Sequence, residues 1–327
     1  FQMLQARDMR NAAIEFEQAV KADSTYGDAY YALGKALVAL EEYDKAIAAY
    51  EGARRHGVTS AKAQTSLVPQ LAEIYYQSAL KYRDQRRYRD AITAFQSSLE
   101  LQPGNARAYY GLGLCYDSLR EADAAQQAFE KVIALDATNV QAFVALGDMY
   151  RQRREFVRAA DMYGRAAAAD PTSMPAHAGL ARVQMESGDL EGAVTTLQTA
   201  LKADPKSAYG HLLLGTALIQ LSRHAEAVAP LRRAVELDAS VAEAHYRLGE
   251  AYYGKGDYRA AVGATAEAVR RERNYHAAEV VLADSHAKLG EVREARSWYE
   301  KAKTDSRFRD YCEHQLTELE RQAQTPR

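Results

Sequence analysis

Residues 106–139 read ARAYYGLGLCYDSLREADAAQQAFEKVIALDATN, and residues 140–173 read VQAFVALGDMYRQRREFVRAADMYGRAAAADPTS. Laid over one another, they match aromatics at Tyr109 and Phe143, Leu-Gly pairs at Leu112-Gly113 and Leu146-Gly147, and tyrosines at Tyr116 and Tyr150. Ala125 and Ala159 come next in register, then the rings Phe129 and Tyr163, with Ala166 and Pro171 closing the second stretch. Working outward, alanine stands at positions 12, 46, 91, 125, 159, 193, 227, 261 and 295, and every step is 34 residues except the 45 from Ala46 to Ala91. A fixed period of this size marks stacked repeats. Such an array has no single central pocket, so its function is expected on an extended surface and binding is favoured over chemistry.

Each unit carries two helical stretches around a short polar turn, as in Asp28 to Leu40, then Glu41-Glu42-Tyr43, then Asp44 to Arg55. The apolar spacing is helical along the whole chain, and nothing reads as a strand. Pro103, Pro171 and Pro205 fall after second helices, where a missing N–H ends the helix. Small residues fill the middle of each first helix (Gly34, Ala79, Gly113, Gly147, Ala181, Gly215, Gly249, Ala283), with leucines before them and tyrosines after. They predict close approach to the second helix, where the periodic alanines sit, with small and large side chains interdigitating.

The pattern resembles the tetratricopeptide repeat (TPR) family, whose unit carries W-x2-L-G-x2-Y, then A-x3-F and a terminal Pro. The resemblance covers nearly the whole chain and implies an all-α, right-handed TPR superhelix, an α-solenoid of antiparallel helix pairs with a C-terminal capping helix. Residues 1–306 are expected to form the array: a half repeat at 1–26, a repeat at 27–60, an insertion at 61–71 and regular repeats over 72–306. Residues 307–327 are expected to form the capping helix and tail, with Phe308, Tyr311, Cys312, Leu316 and Leu319 on its inner side. Three local departures concern packing only: Ser78 in place of the leucine, Thr265 in place of the second-helix aromatic, and Glu279 in place of the first aromatic.

Residues 1–10 read as the tail of a first helix, which leaves the first unit half partnered. The natural chain is then expected to extend upstream, or a partner or second subunit to cover that face. The insertion around Ser66-Leu67-Val68-Pro69 reads either as a longer connection or Pro-kinked extension of the next helix, or as a projecting docking element.

The formal charge of −2, with 47% apolar and 26% charged residues, is that of an ordinary soluble protein and lacks the basic excess of a nucleic-acid binder. No run approaches the ~18 apolar residues needed to span a bilayer, which argues against direct membrane insertion. A soluble compartment, bacterial cytoplasm or periplasm, is expected from this and from the Ala- and Arg-rich composition, with any targeting region lying outside the chain. Cys115 and Cys312 match no metal or redox spacing. His177, His211 and His245 stand 34 residues apart in the slot of Tyr30, Tyr75, Tyr109 and Phe143. Equivalent slots point in parallel and cannot converge on one metal at ~2.0–2.3 Å, so no metal site is expected. Gly111-Leu112-Gly113 lies inside a helix with no strand before it and makes no phosphate loop. No cofactor and no catalytic set emerge.

The candidate site is the concave groove that first helices line in this family. Residues one turn either side of the small slot give Tyr31, Tyr76, Tyr110 and Tyr246, with Arg83, Asp117, Asp148, Arg151, Arg182, Glu250 and Tyr253 nearby. Tyrosine offers a large contact area at low rotamer cost and keeps a hydrogen-bonding tip, although it is also the packing residue of these repeats. Arginine clusters at the turns, Arg83 to Arg89 and Arg151 to Arg158, read mainly as a solvated edge. The Lys–Asn clamp for C-terminal carboxylates and an asparagine ladder are both missing. The expected function is a non-catalytic scaffold or adaptor that binds a partner protein segment, an extended peptide or a helix, within a multiprotein assembly. The alternative is the targeting or regulatory array of a larger enzyme whose catalytic part lies elsewhere.

Overall fold

The computed structural model describes residues 2–324, with side chains for residues 8–322. All secondary structure among the described residues is helical. The order opens with α1 (Gln2–Ala22), followed by the pairs α2 and α3 (Gly27–Ala39, Tyr43–His56) and α4 and α5 (Ala61–Asp84, Tyr88–Leu101). Next come α6 and α7 (Ala106–Ser118, Ala122–Leu135), then α8 and α9 (Val140–Gln152, Phe156–Ala169). They are followed by α10 and α11 (Met174–Ser187, Leu190–Ala203), and α12 and α13 (Ala208–Gln220, His224–Leu237). The last pairs are α14 and α15 (Ala242–Lys255, Tyr258–Arg271) and α16 and α17 (His276–Lys288, Val292–Ala302), before α18 (Arg309–Gln324). The chain divides into two compact units, one up to Met149 and one from Tyr150 onward.

The turn inside each pair is built the same way. Residues 41, 86, 120, 154, 188, 222, 256 and 290 all adopt left-handed φ between 59° and 91°. At Arg120, its N–H donates to the Asp117 carbonyl at 2.9 Å, and Glu121 N–H donates to the Tyr116 carbonyl at 2.9 Å. This is the Schellman closure of a helix C-terminus, which satisfies carbonyls that would otherwise be orphaned. Five of the eight turn residues are not glycine, so the sequence shows only polarity there. A chain reversed over so few residues makes the two helices of a pair antiparallel.

The packing differs from the expectation in one respect. The small slot of the first helix receives the large residue of the second helix, not its periodic alanine. A Cβ at Gly113 would lie 2.6 Å from the Phe129 ring, and one at Gly111 would lie 2.3 Å from the Phe95 ring. The second-helix ring is thus wedged between its own first helix and the next one. Phe95, Phe129, Tyr163 and Tyr299 are at most 1% exposed in this slot. The periodic alanines from Ala46 to Ala295, fully buried themselves, permit the helix axes to come close enough for that.

Where the repeat departs from its pattern, the buried polar group has found a partner, as desolvation requires. Ser78 Oγ donates to Asp44 at 3.0 Å, Thr265 Oγ1 donates to the Ala261 carbonyl at 2.7 Å, and His276 Nδ1 donates to Glu279 at 2.8 Å.

One expectation changes towards the front of the chain, and one open alternative is decided. Residues 2–22 form one helix without a left-handed residue, so no turn separates the expected first-helix tail at 1–10 from residues 11–22. Residues 61–71 are the first turns of α4, which runs on through Pro69. Ala63, Leu67 and Leu71 are buried in one core with Leu33, Leu37 and Tyr50. The extension therefore packs against the preceding pair and does not project. At the other end Cys312, Leu316 and Leu319 of α18 are buried against Ala283, Ala295, Tyr299 and Ala302, and Tyr311 donates to Asp284 at 2.9 Å.

Candidate protein-binding groove

Successive first helices touch one another within each unit: α2 with α4 and α4 with α6 in the first, then α10 with α12, α12 with α14 and α14 with α16 in the second. Within each unit, among the described residues, no contact of this size joins successive second helices. Layers that crowd on one side and spread on the other are curved, so first helices form the inner side of each unit.

Three of the sequence-derived candidates meet in the first unit. Tyr76, Arg83 and Tyr110 line a cavity of about 310 Å³, together with Leu80, Arg107, Asn139 and Gln141. The tyrosines are held from behind by the wedged rings: Tyr76 lies 5.8 Å from Phe95 and Tyr110 lies 5.6 Å from Phe129, both tilted. The Arg107 guanidinium lies 5.2 Å from the Tyr76 ring centre, a cation–π contact. Burial raises the Tyr110 phenol above its ordinary pKa, opposed by the nearby Arg83 charge. On the far wall, Asp136 is held below the usual carboxylate range by hydrogen bonds from the Thr138 hydroxyl and N–H and from Asn139.

Tyr31 lies apart from this cavity. Its ring meets Tyr50 edge-on at 5.5 Å, with Lys35 over it, and its hydroxyl is hydrogen-bonded to Ser66 at 2.9 Å. Tyr50 donates to Gln70 at 2.9 Å. Ser66 and Gln70 both belong to the α4 extension, which closes over α2. A second, smaller hollow of about 280 Å³, lined by Lys35, Val38, Gln70, Glu73 and Ile74, remains between these helices.

The second-unit candidates are engaged with neighbouring side chains. Arg247, which is not among the expected site residues, pairs with Glu243 at 2.7 Å and Glu250 at 2.9 Å. It also stacks on Tyr246, which packs 5.1 Å from Tyr275. Burial, reinforced by Glu250, pushes the Tyr246 phenol up to about 12. Tyr253 packs on Tyr258 at 5.5 Å, Arg182 donates to the Tyr209 hydroxyl at 3.3 Å, and Arg151 pairs with Glu186 at 3.0 Å. In the first unit, Asp117 is exposed near the end of α6, and Asp148 is half-buried on α8. Neither lines the cavity.

Leu80, Arg107, Asn139 and Gln141 escaped the sequence reading. Arg107 and Leu80 carried a usable signal, because each lies three or four residues from a chosen tyrosine and shares its helix face. Asn139 precedes a helix and carried none. The spaced histidines serve the loops: Nε2–H of His177, His211 and His245 donates to the carbonyl six residues earlier, Pro171, Pro205 and Ala239, at 3.0–3.1 Å.

Family models described as tetratricopeptide repeat match residues 4–57, 76–140, 116–173, 246–309 and 150–216, and one described as TPR repeat matches 215–256. No curated protein matches the chain. Among solved structures, PilW, described as a widely conserved type IV pilus biogenesis factor, is 19% identical, with 63% of this chain and 95% of that one covered at a TM-score of 0.54. YrrB, described as a TPR protein with an unusual peptide-binding site, is 22% identical over 57% of this chain and 95% of its own, with a TM-score of 0.47. MamA is 23% identical over 53% and 94%, with a TM-score of 0.46.

Proposed function

The chain belongs to the tetratricopeptide-repeat family, and we propose that it works as a non-catalytic scaffold that binds a segment of a partner protein on the inner face of its first helices, within a multiprotein assembly. One observation carries this reading. The cavity between α4, α6 and the start of α8 is open, is walled by two half-buried tyrosines, and has its ring walls fixed from behind by Phe95 and Phe129. Rigid aromatic walls lose little entropy when a partner docks, which favours affinity. In the second unit Arg247 already pairs with Glu243 and Glu250, so those two carboxylates supply shape more than free charge. Among the described residues no helix is long and apolar enough to cross a membrane.

The test is capture of native partners by the protein and by its Tyr76→Ala, Tyr110→Ala double variant, with binding normalised to folded protein from a parallel melt. Truncated aromatic hot spots commonly cost about 2 kcal/mol or more. Loss of capture per folded molecule supports the groove. Undiminished capture by a destabilised variant reassigns the tyrosines to packing alone.

A further inference from the structure

We propose that Asp284, on the inner side of the second unit, receives a basic side chain of the partner segment, a lysine or an arginine. This rests on the inner-face reading and specifies the partner's chemistry there. Asp284 belongs to the first helix α16 and stands 34 residues after Glu250, in the register of the groove candidates. It is half-buried, and the hydroxyls of Tyr299 and Tyr311 both donate to its Oδ1. Among the described residues, none donates to Oδ2. Lys288, one turn further along α16, acts on the carboxylate through its charge but forms no ion pair with it.

Its acidic neighbours have basic partners. Glu243 and Glu250 share Arg247, Glu279 meets His276, and Glu291 pairs with Arg259. Asp284 has phenols instead, which donate hydrogen bonds but carry no positive charge. Burial accordingly raises its pKa above the ordinary value, although Tyr299, Tyr311 and then Lys288 act to lower it. A desolvated carboxylate without a counter-ion gains when a cation arrives, because the missing charge is supplied and Oδ2 acquires a donor. The aromatic surroundings suit the alkyl stem of such a side chain. Tyr311 is 42% exposed and meets Tyr299 edge-on at 6.5 Å. Tyr253 on α14, near enough for its phenol to feel the Asp284 charge, packs against Tyr258.

A dye-labelled peptide of alternating Lys and Leu, blocked at both termini so that only side-chain charge is read, tests this by fluorescence anisotropy beside its Gln counterpart. The Lys peptide is expected to bind at least about tenfold more tightly than the Gln peptide and to weaken as salt rises. Asp284→Asn should remove that preference. Its amide oxygen still accepts from both tyrosines, so this variant should melt no lower than the parent. Glu294→Gln removes an exposed carboxylate of α17 and should leave the preference intact. Equal losses in the two variants mean diffuse attraction and overturn the proposal. Equal binding of the Lys and Gln peptides, both abolished per folded molecule in a Tyr246→Ala, Tyr253→Ala variant, overturns the basic selectivity and leaves the inner face standing. Binding indifferent to that double variant and to Asp284→Asn overturns both, and no binding of the Lys peptide overturns the basic selectivity.

Discussion

The Tyr110 ring packs 5.6 Å from the Phe129 ring at an interplanar angle of 53°. Gly113, nearly one turn further along α6, leaves the gap that Phe129 occupies, since a Cβ there would lie 2.6 Å from the ring. The same wedge thus joins the two helices and backs the wall of the cavity. Fold and recognition share these rings, and the two contributions separate by substitution.

Tyr110→Phe should keep the ring pair and melt within about 0.5 kcal/mol of the parent. Tyr110→Ala should lose the aromatic contact and part of a half-buried side chain, roughly 1–2 kcal/mol in urea unfolding. If the two variants unfold at the same urea concentration, the ring pair contributes nothing to the fold.

Gly113→Ala and Gly164→Ala should have opposite signs although both sit in mid-helix. At Gly113 the added methyl meets Phe129, whereas at Gly164 nothing lies within 4 Å. Overpacking should cost about 1–3 kcal/mol at the first site. Better helix propensity should add roughly 0.5–1 kcal/mol at the second. Stabilisation at both positions in denaturant titrations would refute the wedge.

Arg120 holds φ at 60° in its turn, where the equivalent residues 188, 256 and 290 are glycines. A left-handed conformation costs an ordinary side chain about 1–2 kcal/mol, which glycine avoids at the expense of a looser unfolded chain. Arg120→Gly should therefore raise the melting temperature slightly, and Gly188→Arg should lower it. Calorimetry showing the reverse pair of shifts would contradict the shared turn geometry.

His245 gives a pH dependence of known sign. Burial lowers its pKa, only partly opposed by its hydrogen bond to the Ala239 carbonyl; Arg271 and Arg270 lower it further, and Glu267 raises it. The unfolded chain, with a histidine near 6.5, then binds more protons than the folded one below that pH. The stability associated with neutral His245 is intact above about 6.5 and is lost as pH falls from there through the folded pKa. Urea midpoints taken across this window should fall less in His245→Tyr, the residue found at positions 30, 75 and 109 of the same slot. An unchanged slope would remove His245 from the account.

The repeat made the fold legible, because each period reports contacts at a constant offset along the chain. Gly113 meets Phe129 and Gly215 meets Leu231 sixteen residues on, so the same small and large residues recur and declare themselves. Helix pairs and their order came from that regularity, whereas the choice of groove tyrosines came from what the family resemblance implies. What only the tertiary structure decided has no period. Ser66 reaches Tyr31, and Gln70 reaches Tyr50, across one insertion that occurs once. Arg107 lies over Tyr76 from a neighbouring helix, while Arg247 ties up Glu243 and Glu250 in the other unit. Backbone reversal at Glu41, Arg86, Arg120, Arg154 and Ser222 was equally hidden, because hydrogen bonds closing the helix hold non-glycine residues in a conformation their identity does not announce. The sequence by itself determined which residues share a face. Which of those are already paired depends on single contacts between helices, and only the folded arrangement of side chains decides them.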